Sequence, residues 1–268
     1  MITAEVAAGS AAWLGRGLSC VCAHGKEEDA CLSFDLPPAQ MFQSDRFSLI
    51  LTGGLLTEAV KQIRHWHIAY DSSVPEHQQA LRALWKAVFL EVALHGLISE
   101  QWKEMGWQGK DHSTDFRGGG FISLENLLYF AQNFPKSFQD LLRKQEGDGS
   151  MWEYPFDVAG VNITFMLIQM LDLEAVKPRN LVGATFLKFL SDIYTRDNEL
   201  AFDLLYCIAF KLMDHQSLAM RASYMDFNAV MKSTRHQLET ELLEKYITRL
   251  EELPSYMLQL LICYTFMK

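Results

Sequence analysis

The sequence is poor in cysteine and in long apolar runs, and each shortage excludes a class of protein. Its five cysteines are odd in number and irregularly spaced along 268 residues, which argues against a disulfide framework and predicts a reducing, cytoplasmic environment. The longest apolar run, 257–267, contains Gln259 and is far shorter than the roughly 20 residues that a membrane-spanning helix needs. The first 19 residues lack the basic start and long apolar stretch of a secretory signal. We therefore expect neither a secreted nor a membrane-spanning protein.

Basic charge is also scarce. The chain has 24 lysines and arginines against 33 aspartates and glutamates, which gives a net charge of -9. A protein that neutralises phosphates along nucleic acid needs a surface of the opposite sign, so we expect no nucleic-acid partner. Hydrophobic residues make up 49% of the chain and charged residues 21%, as in ordinary globular domains. The composition predicts a compact, soluble protein.

The first 43 residues differ from the rest of the chain. They contain many small residues, a charged cluster at 26–29 and the pair Pro37-Pro38, without a sustained apolar period. We predict that residues 1–43 form a flexible N-terminal arm. The arm carries three cysteines and one histidine, Cys20, Cys22, His24 and Cys31. Zinc binding by these side chains is an alternative, but their spacing is unlike that of structural zinc sites, which favours a cysteine-bearing tail with no metal.

From Phe47 onward, apolar residues recur at three- and four-residue steps, and period-two alternation is almost absent. This pattern predicts an all-α fold, a single compact domain over residues 44–268 with about eight helices. One helix is expected to start at Ser73-Pro75, and another to start with Ser123 as its N-cap and to end before Pro135. The predicted helices cover 47–71, 75–98 with a weak point at Gly96, 124–134, 137–144, 158–173, 181–194, 200–214 and 225–250.

A glycine-rich loop separates two of these helices. Residues 106–120 contain five glycines with polar residues between them, and a loop of this length inside a compact domain is usually functional. It is not a nucleotide-binding P-loop, because it lacks a Gly-Lys-Ser/Thr ending and a preceding strand. Arg117 precedes three glycines, where its side chain could stabilise a transferring phosphoryl group in a neighbouring protein. Alternatively, Arg117 forms an internal ion pair that holds the loop. The residues alone leave both interpretations open.

The stretch from Trp102 to Phe130, WKEMGWQGKDHSTDFRGGGFISLENLLYF, resembles the signature of the ELMO domain. It is most similar to the ELMOD type, whose members are GTPase-activating proteins for Arf-family GTPases. The positions in register with the signature are Trp102, Gly106, Trp107, Gln108, Thr114, Asp115, Arg117, Gly118, Gly120, Leu124, Leu127, Tyr129 and Phe130. His112 stands where the family has proline, and Ile122 where it has leucine. The similarity covers about residues 55–250 and is closest to short, single-domain plant ELMO proteins.

This resemblance implies a helical domain that activates a small GTPase of the Arf family by supplying Arg117 as an arginine finger in trans. The chain would then act on its partner's active site, without a substrate pocket, metal or cofactor of its own. We expect the residues around Arg117 to orient the loop or to contact the partner; they are Gln108, Thr114, Asp115, Gly118, Gly119 and Gly120. The aromatic residues Trp102, Trp107, Tyr129 and Phe130 are expected to pack beneath the loop. The expected location is cytoplasmic, with recruitment to endomembranes through the GTPase.

A non-catalytic interaction module is the alternative within the same resemblance. The larger ELMO proteins scaffold an exchange factor for Rho- or Rac-type GTPases and lack the equivalent arginine. The presence of Arg117 therefore favours the catalytic interpretation. Neither interpretation identifies which GTPase is bound.

Overall fold

The computed structural model describes residues 68–105, 107, 109–111, 115–117, 119–143, 154, 156–175, 178–192 and 201–260. All of these belong to one compact unit, Leu49–Lys268, whereas the other unit, Met1–Ser48, lies outside the described residues. The arm predicted over 1–43, its cysteine cluster and most of the helix predicted over 47–71 therefore also lie outside them. Residues 68–71, at the end of that predicted helix, are not helical.

The described residues form helices and turns and contain no β-strand, which confirms the all-α prediction. The α-helices within these ranges are α1 (Pro75–Val88), α2 (Phe121–Asn133), α3 (Pro135–Arg143), α4 (Phe156–Met170), α5 (Leu181–Asp192), α6 (Ala201–Ala219), α7 (Phe227–Leu242) and α8 (Met257–Leu260). Short 3-10 helices lie at Glu100–Met105, Asp115–Arg117, Tyr224–Asp226, Leu250–Glu252 and Pro254–Tyr256.

The core is built around helices α2, α4 and α6, each of which packs against the other two. Helix α4 is buried on nearly all sides, as its uniformly apolar sequence requires. Aromatic rings join the three helices: Phe210 lies 5.8 Å from Phe130 and 5.1 Å from Phe156, measured between ring centroids. Helix α1 packs against α2, and α7 packs against α4 and α6. Helix α2, one of these central helices, begins directly after the glycine-rich loop.

Helix α1 begins as predicted and ends earlier than predicted. Pro75 occupies its first turn, where the missing N–H costs nothing. The prediction of a helix continuing to Ile98 is wrong, because the helix ends at Val88. The apolar residues beyond that point do not form a buried stripe; Leu90 is 83% exposed and Ile98 63%.

Helix α7 is shorter than the predicted range 225–250 and ends at Leu242. A long-range contact explains the difference. The buried carboxylate of Glu241 accepts hydrogen bonds from the backbone N–H and the hydroxyl of Ser255, at 3.0 and 2.6 Å. The segment after the helix is thereby held against the last turn of α7.

A buried polar cluster joins the three central helices. The side-chain amide of Asn126 in α2 donates to the Asp203 carboxylate in α6 at 2.7 Å. The Thr164 hydroxyl in α4 donates to the Asn126 carbonyl oxygen at 2.9 Å. Each central helix thus contributes one side chain to a continuous hydrogen-bonded chain. Burial raises the pKa of Asp203 to about 6, although its hydrogen bond from Asn126 acts in the opposite direction.

We expect this cluster to make stability depend on pH between about 4 and 6. Between these pH values Asp203 is protonated in the folded chain and ionised in the unfolded chain. Its contribution to the free energy of unfolding therefore falls as pH rises. The loss should be about 1–3 kcal/mol. Urea unfolding of the wild type and Asp203→Asn at pH 4.5 and 7 measures it, since the variant cannot ionise. Identical pH dependence of the two proteins would contradict the assignment.

Candidate functional site

Buried aromatic side chains form a floor beneath the glycine-rich loop. Trp102, Trp107 and Phe116 are buried; the ring centroids of Trp102 and Trp107 lie 6.3 Å apart, and those of Trp107 and Phe116 5.2 Å apart. Trp85 of α1 meets Trp102 edge-on at 5.1 Å. Such edge-to-face contacts stabilise aromatic pairs beyond the area that they bury. The floor thus links helix α1 to the segment that carries Arg117.

Two of the four aromatic residues expected beneath the loop, Trp102 and Trp107, belong to this floor. Trp102, Trp107 and Phe130 are buried, whereas Tyr129 is partly buried. The Tyr129 ring lies 6.4 Å from that of Phe134, at the end of helix α2. Phe130 packs among the aromatic rings of the core and Tyr129 lies at the far end of helix α2, so the expectation that these two residues pack beneath the loop is wrong.

Arg117 is the last residue of the short helix Asp115–Arg117. The residue before it, Phe116, is fully buried, and its ring lies 4.8 Å from Tyr70 as well as 5.2 Å from Trp107. The Phe116 carbonyl accepts a 2.7 Å hydrogen bond from the Gly120 N–H. The ring contacts and this hydrogen bond therefore fix the backbone of Phe116, which Arg117 directly follows.

Helix α2 starts immediately after this turn, with Gly120 as its N-cap. Gly120 has φ 69°, a conformation that glycine adopts without the steric penalty of a side chain. The next N–H, that of Phe121, donates to the Ile68 carbonyl at 2.8 Å. The prediction that Ser123 is the N-cap is wrong: Ser123 lies inside the helix and is fully buried.

The side chain of Ser123 occupies the space beside Gly119. A Cβ atom at position 119 would overlap the Ser123 Oγ and would lie 3.4 Å from Cγ1 of Val161 in α4. Close packing of the loop against the helix therefore depends on glycine at position 119. Capping preferences favour serine at an N-cap, but the helix begins at Phe121 after the positive-φ Gly120, so Ser123 falls inside it.

We expect Gly119→Ala to lower the free energy of unfolding by about 1–3 kcal/mol, the usual cost of overpacking. The second change Ser123→Ala removes the overlapping hydroxyl oxygen and should restore more than half of that loss. Ser123→Ala alone is the control. A urea-unfolding double-mutant cycle measures the coupling, and strictly additive effects would show that the two residues do not compete for space.

Residues 68–77 hold the start of helix α2 from the other side. The buried His77 ring stacks on Phe121, with centroids 3.9 Å apart, and its Nδ1 accepts the Asp71 N–H at 2.9 Å. Tyr70 stacks on the same histidine at 5.6 Å. Burial raises the pKa of Tyr70, and the nearby carboxylates of Asp111 and Asp71 raise it further. The phenol is therefore a neutral part of the support at neutral pH.

The segment 89–99 is a further part of the site that the sequence did not reveal. Two buried indoles fix it from beneath: Trp85 donates to the Val92 carbonyl at 2.7 Å, and Trp102 to the Leu97 carbonyl at 3.1 Å. The Ser99 N–H donates to the Lys110 carbonyl at 3.1 Å, within the glycine-rich loop. The segment is thus joined to the loop while it presents apolar side chains to solvent.

The predicted site residues are only partly within the described ranges. Asp115 and the backbone of Arg117 form the turn, and Gly119 and Gly120 are buried beside it. Gln108, Thr114 and Gly118 lie outside the described residues. Within the ranges that are described, no group of three or more His, Cys, Asp or Glu side chains could hold a metal ion. The same ranges also contain no apolar helix of membrane-spanning length.

Comparison with known proteins gives one consistent family. The pattern of the ELMO/CED-12 family matches residues 61–231. ELMO domain-containing protein A of Dictyostelium discoideum is 32% identical in an alignment of 197 residues that covers 68% of this chain and 20% of that protein. ELMO domain-containing protein B of the same organism is 34% identical over 167 residues, 62% of this chain and 53% of that protein. Human ELMO domain-containing protein 2 is 36% identical over 108 residues, 40% of this chain and 36% of that protein.

The chain spans between about a fifth and about half of the length of these relatives. No solved structure matches it. The family match nevertheless covers more than half of the chain and includes the turn at Arg117, its aromatic floor and helices α1 to α6. On this match, and on the helical fold that accompanies it, the chain belongs to the ELMO/CED-12 family.

Proposed function

We propose that this chain is a GTPase-activating protein for an Arf-family small GTPase and that Arg117 enters the active site of that partner. The observation that carries the proposal is the placement of Arg117. It follows the buried, doubly contacted Phe116 and precedes the glycines that lead into helix α2. A short turn with a fixed base is suited to presenting a guanidinium to a neighbouring site, because little backbone freedom is lost on docking.

The chemistry of the partner explains what Arg117 would contribute. Negative charge is spread over the oxygens of the γ-phosphoryl group as it is transferred to water, and a planar guanidinium stabilises that charge. Arginine fingers of this kind accelerate hydrolysis by about 10³ to 10⁵. The nucleotide and its magnesium ion belong to the GTPase, so this chain contributes position and charge. The likeness to plant ELMO proteins and a location at endomembranes are parts of the same proposal.

Single-turnover GTP hydrolysis by a panel of Arf-like and Rho-type GTPases tests the proposal. We expect the wild-type chain to accelerate hydrolysis by at least one Arf-family member and Arg117→Ala to abolish the acceleration. Arg235→Ala is the matched control: it removes an arginine from helix α7 whose surface ion pair with Glu239 contributes little to stability. Equal acceleration by wild type and Arg117→Ala would refute the role of Arg117.

A second candidate function is a non-catalytic module that binds a GTPase or its signalling complex. The exposed apolar residues of segment 89–99, Leu90 and Ile98 above all, favour a protein-binding role for this face. The same panel separates the two functions. A GTPase that binds the chain while its rate of hydrolysis stays unchanged would identify the module.

A further inference from the structure

The packing of Phe116 in the core can set the position of the Arg117 backbone. The two residues are neighbours in the three-residue helix Asp115–Arg117, so a movement of the Phe116 backbone displaces Arg117 with it. The Phe116 ring is fully buried, so packing against other side chains determines its position.

The ring joins two separate parts of the molecule. Tyr70, before helix α1, contacts it at 4.8 Å, and Trp107, within the glycine-rich loop, at 5.2 Å. Its carbonyl in turn accepts the Gly120 N–H at 2.7 Å, which closes the turn against the start of helix α2. Phe116 thus connects the loop, the segment before α1 and helix α2 at a single residue.

We propose that Phe116 is a positioning residue for the activation of the GTPase: its buried ring holds the Arg117 backbone at the height and angle needed to reach the partner's phosphate. This inference rests on the proposed function. Phe116 itself does not contact the reacting atoms. Removal of the Phe116 ring therefore lowers the maximal stimulated rate more than it weakens docking, because the chain still binds the GTPase while Arg117 is misaligned. A misplacement of about 1 Å can lower the rate about 100-fold.

The chain offers a closely matched control in Phe138 of helix α3. Phe138 is also buried and also has two ring contacts, with Phe130 at 5.5 Å and Phe156 at 5.1 Å. Both alanine variants lose a comparable buried ring, but only Phe116 adjoins Arg117. Phe116→Leu serves as the conservative variant, since it retains most of the buried volume.

The experiment measures single-turnover hydrolysis by an Arf-family GTPase against the concentration of each variant, at a temperature where circular dichroism shows all variants folded. For Phe116→Ala we expect the maximal rate to fall about 10-fold or more and the half-saturating concentration to change less than about 3-fold. Phe116→Leu should recover most of the rate, and Phe138→Ala should retain it. Exchange of the Gly120 amide hydrogen should accelerate in Phe116→Ala only.

Arg117→Ala, measured in the same series, separates the two possible failures. If Arg117→Ala is inactive while Phe116→Ala retains the wild-type maximal rate, the positioning role is overturned and the proposed function stands. An equal loss of rate in Phe138→Ala, or a loss confined to the half-saturating concentration, overturns the positioning role as well. If Arg117→Ala is fully active, the proposed function fails and the role of Phe116 fails with it.

Discussion

Replacing Arg117 with lysine is expected to lower the stimulated rate of GTP hydrolysis about 10³-fold or more, although the charge is kept. Lysine presents a compact ammonium on a flexible stem, whereas arginine presents a planar fork that can bind two phosphoryl oxygens at once. Because the fork is needed in the transition state, the loss should appear in the maximal rate. Single-turnover assays at saturating concentrations of the variant measure it.

The size of this effect follows from the transition-state energy involved. A factor of 10³ to 10⁵ corresponds to about 4 to 7 kcal/mol of barrier, far more than a surface ion pair contributes to stability. Because the proposed role of Arg117 is in the partner's active site and not in the fold, the unfolding midpoint of Arg117→Lys in urea should match that of the wild type. A lysine variant that stimulates as well as the wild type would show that only positive charge is required and would contradict the finger mechanism.

Trp102→Ala is expected to lower the free energy of unfolding by about 3–5 kcal/mol, the usual cost of removing a large buried aromatic side chain. Trp102 is fully buried, contacts both Trp85 and Trp107, and donates its indole N–H to the Leu97 carbonyl. Its loss leaves a cavity and releases segment 89–99 from one of its two indole hydrogen bonds. Urea unfolding followed by circular dichroism measures the effect.

Two further variants separate the contributions of Trp102. Trp102→Phe keeps an aromatic ring but removes the hydrogen bond. The lost hydrogen bond should lower the free energy of unfolding by about 1 kcal/mol, in addition to the effect of the smaller side chain. Tyr246→Ala removes an aromatic side chain that is 67% exposed and should change stability by less than about 0.5 kcal/mol. Trp102→Ala with wild-type stability would show that the aromatic floor does not support the loop.

Local signals in the sequence predicted much of the helical framework. Pro75 correctly marked the start of helix α1, and Pro135 correctly marked the end of α2. Apolar periodicity failed where apolar residues are exposed, because a repeat that includes Val92 and Ile98 has the same appearance whether or not another element covers it. The end of helix α7 was missed for a different reason: the bond between Glu241 and Ser255 joins residues that only the folded chain brings together.

The candidate site shows the same division between local and long-range information. The signature placed Arg117 in a glycine-rich stretch after buried tryptophans, and the structure places its backbone in a turn there. The contact of Phe116 with Tyr70 could not be predicted. It depends on how two distant segments meet in three dimensions and leaves no period or spacing in the sequence.

The role of Arg117 is tested by measuring binding and hydrolysis in the same samples, with a GTP-loaded Arf-family GTPase and the Arg117→Ala variant. We expect the variant to bind with a half-saturating concentration close to that of the wild type, while the bound GTPase hydrolyses GTP at its unstimulated rate. Stimulated hydrolysis in the complex with Arg117→Ala would show that Arg117 is not the finger.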